Sequence, residues 1–535
     1  MQRKNILVLF FLIALALSLF AQGGKEPAAA AGSDVQSTLN ADGSFRLPIV
    51  DEKKEFSIFL NFNNMPFDPS WKVWQIIADR TNVSFRSVIS QSNSNETEAY
   101  NLMLSSGNLA DVIGYVNAAD LESLGRDGGL LDLTDLIDRY APNIKAFMDA
   151  NPKFRTYAMS TDGKIYFIPK NQALKSAEFW FIRKDWLDRL GLQIPTTVDE
   201  LHDVLYAFRN NDPNGNGIKD EIPLFDRAGW KMPEEYLYLW DTSIGFYARD
   251  GKIEFEPLEP NFKIGVGNLI QWYREGILDP EIFTRGPKGR DILLSSNLGG
   301  CTHDWVSAST YNVTLKDTIP GFEFIGIAPP ADQNGVVKER VERFPGVGWG
   351  ISSKCSDPVT VIKLFDYLFT EEGSDLMNWG IEGEQYFRND KGEKQFFDEV
   401  LNAKKTVVAQ LRSIGSLYRV GMNQDGGYEI AAMNKWGRDV NDLYESHPEW
   451  FVEEAPPYTD GELDLKYFAE DETRYRRIMN NIKSYVEEKF QSWIIGTADF
   501  NTEYDAFVKE LRSRGIDEAI AINQRAYDYY LGSRN

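Results

Sequence analysis

The chain is poor in the residues on which many sites are built. Its 535 residues include two cysteines, Cys301 and Cys355, and three histidines, His202, His303 and His447. That inventory argues against a zinc centre, whose ligands come mostly from these two residue types. Two distant thiols give no disulfide framework, and sequence alone leaves open whether they pair. Basic residues are outnumbered 57 to 80 by acidic ones, for a net charge of −23. A nucleic-acid partner is excluded on that balance, because phosphate binding needs basic surface, and a grip on anionic lipid is disfavoured. No Gly-x-Ser-x-Gly elbow, His-Glu-x-x-His pair or phosphate-binding loop is present. After the first twenty residues no apolar run is long enough to span a membrane.

What is present begins with "MQRKNILVLFFLIALALSLFAQGG". Arg3 and Lys4 precede an apolar run from Ile6 to Phe20 and the small residue Ala21. This reads as a secretory signal peptide over residues 1–21, and the run falls short of the ~20 residues of a bilayer span. Retention of the uncleaved signal as an anchor is the alternative. No cysteine follows the cleavage point, so lipid attachment there is excluded. The expectation is a periplasmic or extracellular protein. Residues 22–50, rich in Ala, Gly and Ser, read as a flexible leader.

"KEFSIFLNF" (54–62) then reads as a strand, "WKVWQIIADRTNV" as a helix, and "SFRSVI" as a second strand. Strand–helix–strand opens an α/β domain with a parallel sheet. A helix stopping at Gly107 and the strand "ADVIGYV" continue the alternation, and the C-terminal part is mostly helical. The region before residue 212 is the most explicit. Phe179–Ile182 forms a strand, and a short helix stops at Gly191. Thr197 and Glu200 form a capping box. Leu201, Val204, Leu205 and Phe208 recur at i, i+3, i+4, i+7 on one helical face.

That helix runs into "NDPNGNGIKDEIPL". Alternate positions of a turning loop point inward, and here they hold Asp212, Asn214 and Asn216. Gly217 supplies a sharp turn, Ile218 a backbone carbonyl, and Asp220 and Glu221 two more carboxylates. Hard oxygen donors at this spacing suit one calcium ion. The match to an EF-hand is partial, since the twelfth position is Pro223 rather than Glu. The bland alternative is a surface turn, for which Asn-Gly pairs are common. All ligands come from one short loop, so the metal is expected to be structural.

The segment "FIRKDWLDRLGLQIPTTVDELHDVLYAF" followed by "NDPNGNGIKDEIPL" resembles the large solute-binding proteins of ABC importers, in particular the LplA-type and alginate-oligosaccharide-binding group. "SSGNLADVI", "QWYREGILDPEIF", "TEEGSDLMNWGIEGEQYF" and the tail from "SWIIGTADF" agree with it. The resemblance runs from about residue 50 to the end. It implies an α/β fold of two lobes, of the periplasmic-binding-protein type II, with a hinged cleft and a helix-rich C-terminal part. It implies calcium in the same loop and delivery of a captured solute to a permease. Residues 51–172 are expected in lobe 1 and 173–310 in lobe 2. A return segment, 311–380, is expected in lobe 1, and 381–535 mainly in lobe 2. The chain departs from many members in having no cysteine for a lipid anchor. A monomer is expected.

Sugar sites combine aromatic rings with amides and carboxylates. Candidate contacts are Asn63 and Asn64 after the first strand, Trp240 and Asp241, Asp304 and Trp305 beside a Gly-Gly pair, Trp349 between glycines, and Tyr386 after a glycine turn. Trp186 and Trp272 lie on periodic helices and read as core. Few Lys or Arg accompany the candidates, so a neutral oligosaccharide is preferred to a polyanionic one. Two alternatives stay open in the sequence: a secreted calcium-containing carbohydrate-active enzyme, and a sensor that hands its solute to a membrane receptor.

Overall fold

A computed structural model describes residues 38–533, apart from 63, 64, 93, 94, 116, 173, 228–232, 341–345, 402, 404, 418–420, 452–457, 460, 461 and 464. The expected signal peptide and most of the leader lie outside the described residues. Residues 1–46 and 47–535 are separate compact units. In the first, Leu39 bridges Phe45 and the Arg46 amide donates to the Thr38 carbonyl.

The second unit is built on two sheets. The first runs through β1 (Lys54–Phe59), helix α1 (Lys72–Thr81), β2 (Val83–Ser87), α2 (Glu96–Ser106), β3 (Val112–Gly114), α3 (Ala118–Arg126) and β4 (Ile168–Lys170). The chain then enters the second sheet with β5 (Glu178–Arg183), α4 (Val198–Asn210), β6 (Ile222–Leu224), α5 (Pro260–Arg274), β7 (Gly299–Trp305) and β8 (Phe324–Ile327). It returns with β9 (Gly346–Ile351) and α6 (Pro358–Tyr367). Four more helices follow: α7 (Lys435–Glu445), α8 (Ala469–Ile494), α9 (Phe500–Ser513) and α10 (Ile516–Ser533). The strand orders are β2-β1-β3-β9-β4 and β8-β5-β7-β6. β1 pairs in parallel with β2 and β3, whereas β9 runs antiparallel to both of its neighbours.

The local chemistry explains these boundaries. Asn95, Thr197 and Asp499 each accept a backbone amide at the start of α2, α4 and α9. Gly107 and Gly191 end their helices in the left-handed conformation. The α4 cap differs in one detail from the expected box. Glu200 reaches back to the amide and hydroxyl of Thr196, at 2.8 and 2.7 Å. Residue 196–198 backbone is held there by hydrogen bonds with Ala331. The expected apolar face of α4 is buried in full.

Each sheet has its own core. Phe59, Tyr100, Ile113, Tyr115 and Phe167 pack on one face of the first. Trp180, Ile182 and Cys301 of the second pack with α4, α5 and the C-terminal helices. Phe179, Phe181 and Phe324 pack with Val440 and Tyr444 of α7 on its other face. The chain returns to the first sheet later than expected. Residues 324–327 pair with β5, so the segment beginning at 311 stays with the second sheet, and the first strand to rejoin is β9. Part of the chain after 381, expected mainly in the second lobe, packs on the first. The Val73 amide donates to Ile414, and Asn171 to Met422, so this stretch packs on the first. Sequence periodicity marks a strand but not which sheet will accept its edge.

The lobes also meet through the C-terminal segment. Lys466 pairs with Glu122 at 2.6 Å, Arg126 pairs with Glu472, and Arg476 reaches Asp120 at 2.9 Å. Cys301 and Cys355 are free and buried, one in each lobe. Burial pushes the Cys355 thiol up to about 11.

Candidate functional site

Two constellations stand out, at opposite ends of the second sheet. The first is the loop between α4 and β6. Asp212 adopts φ +47°, with Gly215 at +74° and Gly217 at +83°, and this winds the chain around its own side chains. Asp212 Oδ1 accepts the Asn216 amide at 3.0 Å, and its Oδ2 accepts the Gly217 amide at 2.9 Å. The Asn216 side-chain amide donates to both oxygens of Asp220, at 3.0 and 3.2 Å. Asn214 donates to Asp220 at 3.4 Å and to the Asn297 carbonyl at 3.3 Å. Ile218 turns its side chain outward, leaving only its backbone to serve the loop.

Glu221 is the most telling member. It is fully buried, and its Oε2 has no hydrogen-bond partner among the described residues. Burial pushes its carboxyl above the ordinary carboxylate range, and the charges of Asp212 and Asp220 add to the effect. A buried carboxylate beside two others requires a cation or a proton. The donor set is oxygen only, as a hard cation demands. Asp212, Asn214, Asn216, Asp220 and Glu221, with the Ile218 carbonyl, therefore fit calcium. Arg189 and Arg209 hold the loop's frame through the carbonyls of Pro213 and Lys219, at 2.9 and 2.7 Å.

The second constellation lies at the far end of β7. Ile222 at the start of β6 pairs with Gly299, so the acidic loop adjoins the beginning of β7. Six residue steps at ~3.3 Å put Trp305 about 20 Å away. Because β5 runs antiparallel to β7, its first residue, Glu178, sits opposite Trp305, and His303 sits opposite Trp180. Side chains alternate along a strand, so Trp305, His303 and Glu178 share one face. Donor atoms of Glu178, Glu235 and His303 lie within 4.8 Å of one another. His303 Nε2 is 3.3 Å from Glu339, its Nδ1 is 3.9 Å from Glu235, and its ring lies 5.3 Å from that of Trp180. Trp305 is 45% exposed, on the same sheet face as this buried polar group.

The other candidate contacts fall elsewhere. Asp304 belongs to β7 itself, and it faces away from Trp305. It is buried between Arg227 at 2.5 Å and Arg290 at 3.1 Å, an ion pair at each oxygen, although among the described residues only Oδ1 receives a hydrogen bond. Asp241 is similarly enclosed by Arg249, Arg340 and Lys338, at 2.5, 2.7 and 2.9 Å. Burial pushes its carboxyl up, but the charges and hydrogen bonds of Arg340 and Lys338 outweigh this and hold it at about 2. Trp240 packs edge-on against Trp272 in the core, with ring centres 5.1 Å apart. Trp349 is fully buried and stacks on Phe365 of α6 at 4.1 Å. Flanking glycines suggested an open ring there. They instead let neighbouring backbone close in, since a Cβ on Gly348 would lie 1.7 Å from the Ile168 carbonyl. Tyr386 is buried against Trp379, its hydroxyl 3.3 Å from Asp375. Asn63 and Asn64 lie outside the described residues. Glu178, Glu235 and His303 were not singled out in the sequence, because segments distant along the chain supply them and no spacing joins them.

The family described as bacterial extracellular solute-binding proteins matches residues 75–375. The fructooligosaccharide ABC transporter substrate-binding protein FusA of Streptococcus pneumoniae is 29% identical over 475 residues, covering 82% of this chain and 83% of its own. The solved structure of the alginate-binding protein AlgQ2 without calcium ion superposes with a TM-score of 0.78 at 34% identity, over 90% of this chain and 99% of its own. The FusA EF-hand mutant in complex with fructo-nystose superposes at 0.71 with 24% identity, over 90% and 100%.

Proposed function

Because the chain belongs to the bacterial extracellular solute-binding proteins, we propose that it captures an oligosaccharide between its two lobes and delivers it to an ABC permease outside the cytoplasm. Its relatives include a fructooligosaccharide-binding and an alginate-binding protein, which favours a carbohydrate as the solute. The observation that carries the reading is Trp305. Of the candidate rings it alone stays accessible, while Trp240, Trp349 and Tyr386 are consumed by packing. A sugar ring has an apolar face that stacks on indole and a rim of hydroxyls that need hydrogen-bond partners. Glu178, opposite Trp305 on β5, and with it Glu235 and His303, would meet such hydroxyls. Three carboxylates around His303, counting Glu339, favour an uncharged sugar over a polyuronate. The reading assigns binding without chemistry.

The acidic loop would hold one structural calcium ion, consistent with a relative that has an EF-hand. About 20 Å from Trp305 along β7, the ion cannot touch a sugar stacked there. Its place is to lock the junction of α4 with β6, and so the edge of the sheet whose other end binds. No helix of the described residues is long and apolar enough to cross a membrane.

The test is a thermal-shift and calorimetric panel that includes fructo-nystose and an alginate trisaccharide, with calcium present. A sugar at a hundred times its Kd stabilises the folded state by about 2.7 kcal/mol. No stabilisation by any sugar of either class would refute the reading.

A further inference from the structure

The chain itself joins the two lobes between β4 and β5, between β8 and β9, and again ahead of α7. Residues 465–468, just before α8, add a link that is not covalent. Successive side chains there belong to different lobes. Leu465 is buried in the core of the second lobe. Tyr467 stacks on Tyr475 of α8 at 4.5 Å, and its hydroxyl donates to Asn523 of α10 at 2.8 Å. Lys466, between them, enters the first lobe. Its ammonium donates to the carbonyls of Tyr157 and Met159, the latter at 2.7 Å, and pairs with Glu122 at 2.6 Å. The rings of Tyr157 and Phe167, both in the core of the first lobe, lie 5.5 and 5.8 Å away.

The socket is built for a cation. Tyr157 and Met159 stand at the C-terminal end of the helix Pro152–Ala158, where carbonyls lack helical partners and the dipole is negative. Glu122 is a buried carboxylate, and the Lys466 side chain is only 15% exposed. Neighbouring contacts surround the socket. The Thr161 hydroxyl donates to the Tyr467 carbonyl at 3.3 Å, and the Tyr529 hydroxyl of α10 donates to the Ser160 carbonyl at 3.2 Å. Further along α8, the pair between Arg476 and Asp120 is far more open to solvent.

Burial distinguishes the two interlobe pairs. Withdrawing Lys466 would leave Glu122 to Arg126 at 3.6 Å and the Ser160 hydroxyl at 3.2 Å, and would take a donor from two carbonyls. Rotation about the ammonium costs none of these contacts. An ammonium carries three donors on a flexible stem and has no plane to align, so its partners can turn around it. We infer that Lys466 is a non-covalent hinge post: it stays seated in the first lobe with and without solute, and the lobes open and close by turning about it. The inference rests on the capture of a solute between the lobes proposed above.

Amine acetylation read by peptide mass spectrometry tests the post in the unaltered protein. Lys466 should label at least about tenfold more slowly than Lys53, which is 81% exposed. That protection should hold without sugar and with fructo-nystose or an alginate trisaccharide. Labelling of Lys466 at the rate of Lys53 in the sugar-free protein would overturn the inference. So would protection that appears only with sugar, the mark of a latch. This measurement needs no variant, so it decides even if a substituted protein does not fold. Lys466→Met keeps the stem and removes the charge. If about one in ten of the loosened molecules still holds its lobes ready, Kd rises about tenfold. The sugar-free radius of gyration from small-angle X-ray scattering should rise as well. A lower melting midpoint with Kd within about twofold and an unchanged radius would show a packing contact alone and overturn the inference. Arg476→Ala should leave Kd within about twofold, and a loss equal to that of Lys466→Met would refute the assignment to Lys466. If the unaltered protein binds neither sugar, the oligosaccharide reading fails, while labelling and scattering of the sugar-free protein still decide on the post.

Discussion

Replacing Glu221 with Gln separates the metal from the fold more cleanly than any other change in the loop. Asp212 receives two backbone amides and shapes the turn, so its loss would disturb the chain path whether or not calcium binds. Among the described residues Glu221 receives only a long contact of 3.5 Å from the Asn214 amide, and its second oxygen receives nothing. Without metal its charge is a liability, buried near Asp212 and Asp220. Calcium at a thousand times its Kd would stabilise the folded protein by about 4 kcal/mol. Spread over the roughly 490 residues of the second unit at about 2.1 cal/mol/K each, the unfolding entropy is near 1 kcal/mol/K, so the midpoint should rise about 4 °C. If Glu221→Gln weakens calcium about 100-fold, some 1.4 kcal/mol remains at the same concentration, and the rise shrinks to about 1.4 °C. In chelator the variant should melt at or above the unaltered protein, because an amide replaces a strained buried carboxylate. Differential scanning fluorimetry with 1 mM calcium or excess chelator reads both numbers. Equal midpoints for the unaltered protein under the two conditions would refute the metal site. A full calcium response in Glu221→Gln would refute the role given to this residue.

Other outcomes follow from single environments. Trp305→Ala should weaken sugar binding about tenfold while moving the midpoint by less than a degree, because its ring is half-exposed. Trp349→Ala should cost about 3–5 kcal/mol through the cavity left on Phe365, seen as a lower denaturation midpoint. Asp241 is held at about 2 in the folded protein, so its contribution is complete above its ordinary value near 4 and is lost as pH falls from there toward 2. Asp241→Asn should lower stability at pH 7 by about 3 kcal/mol, since Arg340 loses a partner. The gap from the unaltered protein should narrow by about 2 kcal/mol on going to pH 2, as denaturant titrations at the two pH values will show. Both cysteines should react with a thiol reagent only after unfolding, because both are buried and unpaired.

Local chemistry was legible in the sequence wherever neighbouring residues produce it. The α4 face, the glycine stops at 107 and 191, and the winding of the acidic loop around its own side chains could be read directly, because each feature is made by residues a few positions apart. The resemblance carried by the same stretch pointed to two α/β lobes, which the strand orders bear out. Long-range assembly was not legible in this way. Whether a tryptophan between glycines faces solvent or core depends on what packs over it, and for Trp349 that is a helix begun seven residues after its strand ends. Whether Asp241 and Asp304 can meet a ligand depends on arginines from other segments, which neutralise both. The group at the end of β7 exists only because β5 runs antiparallel to it, bringing Glu178 level with Trp305. Sequence determines what is made by chain neighbours, since their spacing is fixed by covalent geometry. Tertiary structure decides exposure, charge partners and the meeting of distant strands, because these depend on which surfaces the folded chain buries together.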